Sequence, residues 1–400
     1  MTDYKNLIDG KMVDNGQWLE VLNPATEQVV GRVPSCGKEE LDSAVAAARR
    51  AFTQWKKTTA EERQQVVQGI SAAIKENADE LYRLLTSEQG KPHAQAQQEI
   101  YGAAGLAAAQ STLTLDDVIN QDDDTRLSRT RRVPVGVVGG IVPWNFPIMM
   151  AIQKIVPALV AGCTIVLKPS PFTPLTTLRV AELIKDVVPA GTVNIITGED
   201  TLGPLITEHP DIDKITFTGS TATGKKIMEG ASGDLKRITL ELGGNDASIV
   251  LPDADVQKVA EQLFWSSFSN AGQVCIAAKR IYIHEDIYDD LSKAIADYAK
   301  TVVVGDGSQQ GTGVGPIQNK KQYERVLDLI QDAKDNGYKF LTGGDKDPSG
   351  TGYYVPITIL DNPPEDARIV AEEQFGPVMP LMKFASVDEV IERANNSEYG

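Results

Sequence analysis

Val135-Gly-Val-Val-Gly-Gly-Ile-Val-Pro-Trp-Asn-Phe-Pro147 decides how this chain folds. A β-branched apolar run ends in a turn stiffened by two prolines, and an apolar helical pattern follows at once. The same rhythm then repeats. Strands are predicted at Val135–Val142, Thr164–Lys168, Val193–Ile196 and Lys214–Thr218. Helices are predicted between and after them, at Ile148–Ala161, Thr173–Val188, Leu202–Glu208 and Thr221–Ser232. Strand, turn and helix in alternation mark an α/β fold with a parallel sheet and right-handed crossovers.

Upstream, residues 1–33 alternate short apolar runs with turns and read as short strands and hairpins. Helical patterns cover Glu39–Trp55, Ala60–Glu76, Ala78–Gln89 and Ala94–Leu115, the last rich in small residues that permit close packing. Asp116–Asp124 reads as an acidic loop. The basic stretch Thr125–Pro134 reads as an exposed edge hairpin or as an arm that pairs with another subunit. Downstream, a second α/β section begins near Asn245. Its strands fall near Ser248–Leu251 and Arg280–His284, and its helices near Val256–Ser269, Glu285–Thr301 and Asn319–Asn336.

A chain of 400 residues has length for two or three domains and a large core. Its net charge of −16 argues against nucleic acid and against a polybasic membrane surface. The most apolar stretch, Ile148–Leu167, contains Gln153, Lys154, Pro157 and Gly162, which argues against a membrane span. The N-terminus lacks the apolar centre of a signal peptide. Cys36, Cys163 and Cys275 are odd in number and far apart, so no disulfide framework is expected. His93, His209 and His284 are isolated from one another, so no metal site is expected. These features together read as a cytoplasmic protein in a reducing compartment.

Two stretches carry potentially reactive side chains: Glu241-Leu-Gly-Gly-Asn245 and Asn270-Ala-Gly-Gln-Val-Cys-Ile-Ala-Ala-Lys-Arg280. Cys275 has no second thiol nearby. It is either a small buried hydrophobe or a nucleophile, with Glu241 available to activate it or a water. Lys168, in Lys168-Pro-Ser-Pro-Phe-Thr-Pro174, ends a predicted strand where α/β sheets bind ligands. It is either a ribose or phosphate ligand or a solvated loop lysine. Gly219 and Ser220 open a helix, as an anion-binding turn or merely as a cap. Trp144 and Asn145 offer a rigid wall and an amide donor; Glu373 and Phe375 place a carboxylate and an aromatic before a turn.

Taken in order, PWNFP at 143–147, LKPS at 167–170, FTGSTATG at 217–224, ELGGN at 241–245, GQVC at 272–275 and EEQFGPV at 372–378 resemble the aldehyde dehydrogenase superfamily, in its hydrolytic NAD(P)-dependent branch. The resemblance covers essentially the whole chain. It implies a Rossmann-like cofactor domain (1–115 and 135–243), an α/β catalytic domain (244–400) and a small β oligomerisation arm (116–134), in a homodimer or homotetramer. It implies Cys275 as nucleophile, Asn145 with the Cys275 amide as oxyanion hole, Glu241 as general base and Lys154 in support. The cofactor would be held by Trp144, Lys168, Ser170, Gly219, Ser220, Glu373 and Phe375. Lys168 would hold the adenosine ribose, Glu373 the nicotinamide ribose and Ser220 the pyrophosphate.

The implied chemistry oxidises an aldehyde to a carboxylic acid through a thiohemiacetal and a thioester on Cys275. The thioester is hydrolysed by water that Glu241 activates; the base favours hydrolysis over transfer to coenzyme A. Pro171 stands where many NAD-specific members carry a glutamate, so NADP is admitted beside NAD. Ile276 replaces the second cysteine of a redox pair. Met149, Met150, Gln153 and Ser269 fall at substrate-pocket positions, and the last two stand where aromatic residues often line the tunnel, implying a roomier or more polar one. Asn395–Gly400 resembles a segment that relatives follow with a further tail, which implies that the chain stops short of family length. The other readings are a thiol esterase side activity and a non-enzymatic protein that kept the fold; the presence of Cys275, Glu241 and Asn145 speaks against the second.

Overall fold

The structure is a computed structural model, and it describes residues 2–345 and 350–399. The chain divides into two compact units. The first comprises Met1–Val21, Val29–Leu85 and Ala96–Glu241; the second comprises Leu22–Gln28, Thr86–Gln95 and Leu242–Gly400. Residues 22–28 and 86–95 therefore leave the 1–115 stretch and join the second unit. The end of the last segment, Gly400, lies outside the described residues, as do residues 346–349.

The first unit is built on a seven-stranded sheet ordered Arg237–Glu241, Lys214–Thr218, Val137–Ile141, Thr164–Lys168, Val193–Ile195, Asn6–Ile8, Lys11–Val13. The first five strands are parallel, and the N-terminal hairpin adds the last two antiparallel. Thr164–Lys168 and most of Val137–Ile141 are buried along their length. A strand covered on both faces needs apolar residues without alternation, which is what the sequence shows there. The crossovers are the helices Pro147–Val160, Leu175–Ile184, Leu202–Glu208 and Thr221–Ser232. Helix Leu175–Ile184 starts later than the expected Thr173, because Thr173 precedes Pro174 and a residue before proline is pushed out of helical geometry. Ile70, Ile100, Ile155, Leu159, Ile165 and Leu178 belong to one buried cluster between sheet and helices.

Two expectations for the region beside this sheet are corrected. Helix His93–Gln110 ends before the expected Leu115. Asp116–Asp124 is not a loop: Val118–Asp123 is a strand paired antiparallel with Arg126–Thr130. The register sets Asp123 against Arg126, and Arg129 reaches Asp117 at 3.3 Å, so the hairpin offsets acid with base.

The second unit has a five-stranded sheet ordered Asp246–Val250, Ala278–His284, Val378–Phe384, Thr358–Asp361, Lys339–Thr342, with only the last pair antiparallel. Helices Val256–Phe268, Glu285–Ala299 and Lys320–Asp335 pack beside it. Ile281 sits in one buried cluster with Phe264 and Tyr288, and its neighbour Tyr282 in another with Leu329 and Met382. Adjacent strand residues point to opposite faces, so both faces of this sheet are covered. No helix among the described residues is long and apolar enough to cross a membrane.

Candidate active site

In the first unit, register aligns the carboxyl ends of the strands. Ile141 pairs with Lys168 on one side and with Phe217 on the other, and Thr218 pairs with Glu241. The segments that follow carry Trp144 and Asn145, Ser170, and Gly219 and Ser220. Strand order reverses between Val137–Ile141 and Lys214–Thr218, since the chain moves outward from the first in one direction and then returns to its other side. The crevice beyond such a reversal is where open α/β sheets hold ligands.

Lys168 is buried at this edge, which excludes a solvated loop lysine. Burial pushes its ammonium down to about 8, with Asp200 pulling the other way. Its Nζ donates one long hydrogen bond, 3.5 Å, to the Pro169 carbonyl. Ser170 is also buried, its Oγ accepting from the Phe172 amide. The Gly219 amide is already engaged, donating to the Glu241 carbonyl at 3.0 Å. Ser220, exposed, caps helix Thr221–Ser232 by accepting from the Thr223 amide. Thr218 Oγ1 is buried without a hydrogen-bond partner.

Asn145 is buried in the turn into helix Pro147–Val160, and Trp144 is half-buried beside it. The first amides of that helix would lack partners, and proline at its start removes one of them. Glu99, itself buried, takes two more: its carboxylate accepts from the Ile148 and Met149 amides at 3.0 and 3.2 Å. A negative group at the positive end of a helix is favourable, and here it fixes the helix that carries Met149, Met150, Gln153 and Lys154. Lys154 is buried; burial lowers its pKa and the Glu241 carboxylate raises it. Glu241 is exposed, as is Gln153, while Met149 and Met150 are half-buried.

In the second unit, Cys275 follows a left-handed run. Helix Val256–Phe268 stops at Ser269, whose hydroxyl turns back to the Trp265 carbonyl at 2.6 Å. Asn270, Ala271 and Gly272 then have φ of 52°, 55° and 71°. Left-handed non-glycine residues cost about 1 kcal/mol or more each and persist only when neighbours hold them. Here the Gln95 side chain accepts from the Asn270 amide, Asn270 and Gln273 bond each other's carbonyls, and Gln273 Oε1 accepts from the Gln318 amide. The result is a braced turn that leaves Cys275 half-buried and Ile276 77 % exposed.

A Cβ at Gly244 would collide with the Cys275 carbonyl oxygen, so only glycine lets ELGGN lie against the cysteine's peptide. The Gly244 amide donates to Glu373 at 3.1 Å. Gly244 thus touches both the thiol's own residue and the carboxylate. Burial raises the Glu373 pKa, opposed by the Gly244 amide and by Lys279. Phe375 has φ of 47°, and Gln322 holds its loop by donating to the Gln374 and Phe375 carbonyls.

Sequence reasoning missed Glu99, Lys279, Gln95 and Gln322. The available signals were a carboxylate in a helix of small residues and a lysine closing the apolar run Ile276–Ala278. Among the described residues no cluster of histidine, cysteine and carboxylate could hold a metal ion.

The Aldehyde dehydrogenase family model matches residues 12–400. The chain is 41% identical over 405 residues to a mitochondrial aldehyde dehydrogenase of Leishmania tarentolae, covering 99% of this chain and 81% of that protein. It is 39% identical over 402 residues to the NADP(+) succinate-semialdehyde dehydrogenase GabD of Escherichia coli, covering 98% and 83%. Among solved structures it resembles the NAD+ complex of an aldehyde dehydrogenase from Bacillus cereus, with TM-score 0.97, 39% identity and coverage of 100% and 83%.

Proposed function

The chain belongs to the aldehyde dehydrogenase family and oxidises an aldehyde to a carboxylic acid with NAD(P)+; from that premise we propose that Cys275 is the nucleophile, Asn145 the oxyanion donor and Glu241 the general base. The observation that supports this best is the common carboxyl edge, where register brings the segments of Asn145, Lys168, Ser220 and Glu241 into one row.

The residues present fit the cofactor. A buried ammonium with one long hydrogen bond has donors left for a ribose or phosphate oxygen. Ser220 stands exposed at a helix start suited to a pyrophosphate, and Trp144, Ser170 and Gly219 complete this side. Glu373 offers a carboxylate to the hydroxyls of the second ribose, with Phe375 beside it. Bound NAD(P)+ supplies the hydride acceptor. Position 171 is proline and carries no charge to repel a 2′-phosphate, so both cofactors serve.

The Cys275 thiolate forms a bond to the aldehyde carbon, and the carbonyl oxygen takes the negative charge. The Asn145 amide and the Cys275 backbone N–H donate to that oxygen. Loss of hydride from the carbon leaves a thioester on Cys275. Glu241, exposed to water, takes a proton from it; the hydroxyl adds to the acyl carbon and the thiolate leaves as the acid forms. Lys154 holds positive charge near the Glu241 carboxylate.

On this reading the first unit is the cofactor-binding domain and the second the catalytic domain. The hairpin Val118–Thr130, exposed and charge-paired, is the oligomerisation arm of a homodimer or homotetramer. Met149, Met150, Gln153 and Ser269 line the substrate tunnel, and Cys36, Cys163 and Cys275, none of them joined in a disulfide, support a cytoplasmic location.

The test is a panel of aliphatic, aromatic, amino and carboxylated aldehydes, each with NAD+ and NADP+. Reduction of cofactor with release of the acid is the expected result. A panel that yields acyl transfer to coenzyme A but no hydrolysis would remove Glu241 from its role.

A further inference from the structure

We propose that Lys279 is a positioning residue for the reaction, one that registers the Cys275 turn against the Glu373 loop. The inference rests on the roles proposed above for Cys275 and Glu373. Lys279 lies in strand Ala278–His284 and is 1% exposed. An ammonium has three protons to donate and no lone pair to accept with. Each proton here has a carbonyl: Ser267 at 3.0 Å, Gly376 at 2.7 Å and Val378 at 3.4 Å.

Those carbonyls belong to two different segments. Ser267 is in the last turn of the helix that leads into Asn270–Gly272 and Cys275. Gly376 and Val378 follow Glu373 and Phe375 directly. The two segments touch beside the ammonium. A Cβ at Gly272 would collide with the Gly376 oxygen and lie 2.5 Å from Lys279 Nζ. The thiol's turn and the carboxylate's loop therefore meet at one buried cation, with the Gly272 backbone pressed against the same carbonyl that the cation binds.

Stability alone is a poor account of this choice. A buried cation without a carboxylate hydrogen-bonded to it bears a desolvation cost that a methionine of similar length would avoid. What the ammonium adds is direction: three bonds that fix one loop relative to the other. Oxidation on Cys275 requires the reacting carbon and the cofactor to be aligned, and small misplacement is expensive in rate.

The experiment uses the full chain with Lys279→Met, and Lys279→Gln should the first fail to fold. Four quantities are read: kcat, the KM for cofactor, the rate of Cys275 alkylation by iodoacetamide without cofactor, and the melting temperature. The expected result is a kcat lower by about ten- to a hundredfold with a raised cofactor KM. Alkylation stays within about twofold, because the thiol itself is intact and only its alignment is lost, even where melting falls modestly as three carbonyls lose a donor. Parallel losses in kcat, alkylation and melting would reduce Lys279 to a structural residue, and unchanged kcat and KM would remove it altogether. Two controls separate this outcome from failure of the premise. Alkylation of the unmodified enzyme must abolish turnover, and Glu373→Gln must raise the cofactor KM; either one failing refutes those roles whatever Lys279 does.

Discussion

Glu373 carries opposite values for the fold and for the site. Its pKa lies above the ordinary 4.5 chiefly because burial disfavours the carboxylate. A carboxyl group raised in the folded state contributes fully below its unfolded pKa and loses that contribution as pH climbs through the folded value. Glu373→Gln keeps an acceptor for the Gly244 amide and removes the charge. The variant should therefore match the parent in denaturant melts near pH 4.5 and exceed it in stability at pH 7, while cofactor binds less tightly. A variant less stable at pH 7 would show that the charge, with Lys279 and Gly244 as partners, is a net stabiliser. Cys275 should behave otherwise. The turn before it is braced by Gln95, Gln273 and Gln318, so Cys275→Ala should remain folded while turnover falls by about 10⁴-fold or more. Retained turnover would mean that another group attacks the aldehyde.

At the scale of elements, the Pro147–Val160 helix is the piece that joins site to scaffold, and Glu99 is what holds its first turn. Glu99→Ala strips the acceptor from two buried amides and should cost about 1–2 kcal/mol of stability. Turnover should fall as well, and a double-mutant cycle says through what. In an Asn145→Ala background the Glu99 effect on kcat should vanish; an undiminished effect there would mean that Glu99 acts on something other than the proposed oxyanion donor. The helix was legible in sequence nearly to the residue, as were strands Thr164–Lys168 and Lys214–Thr218, because buried parallel strands are continuous apolar runs between turn signals. The capping carboxylate was not, since a helix reports its own face and not the element that fills its end. Val378–Phe384 was missed for a related reason. Pro380 argues against a central strand, yet it pairs with Leu360 in the middle of the sheet, where tertiary context overrides the local preference. Val118–Asp123 was missed because its carboxylates read as solvated until the facing arginines are in place. The motifs point to the candidate site residues, but the bracing of their loops comes from Gln95, Gln318 and Gln322, whose relevance exists only after folding.

The molecule as a whole is two units with separate cores, and the chain passes between them repeatedly through Leu22–Gln28 and Thr86–Gln95. Unfolding of such a chain is not required to be a single transition, so one melting temperature is a weaker probe than residue-resolved protection. The proposed cofactor residues are distributed unevenly, with Trp144, Lys168, Ser170, Gly219 and Ser220 in the first unit and Glu373 and Phe375 in the second. Cofactor at about a hundredfold excess over its Kd stabilises the state it binds by about 2.7 kcal/mol. Amide exchange should therefore slow at Ile141–Asn145, Lys168–Ser170 and Thr218–Thr223, and also at Glu373–Phe375, on addition of NAD+ or NADP+. The exposed hairpin Val118–Thr130 should be unchanged, because nothing in its charge-paired ladder offers a site for the dinucleotide. Protection confined to the second unit would sink the assignment of the sheet's carboxyl edge, since that edge supplies most of the proposed donors and must register the ligand if it holds it.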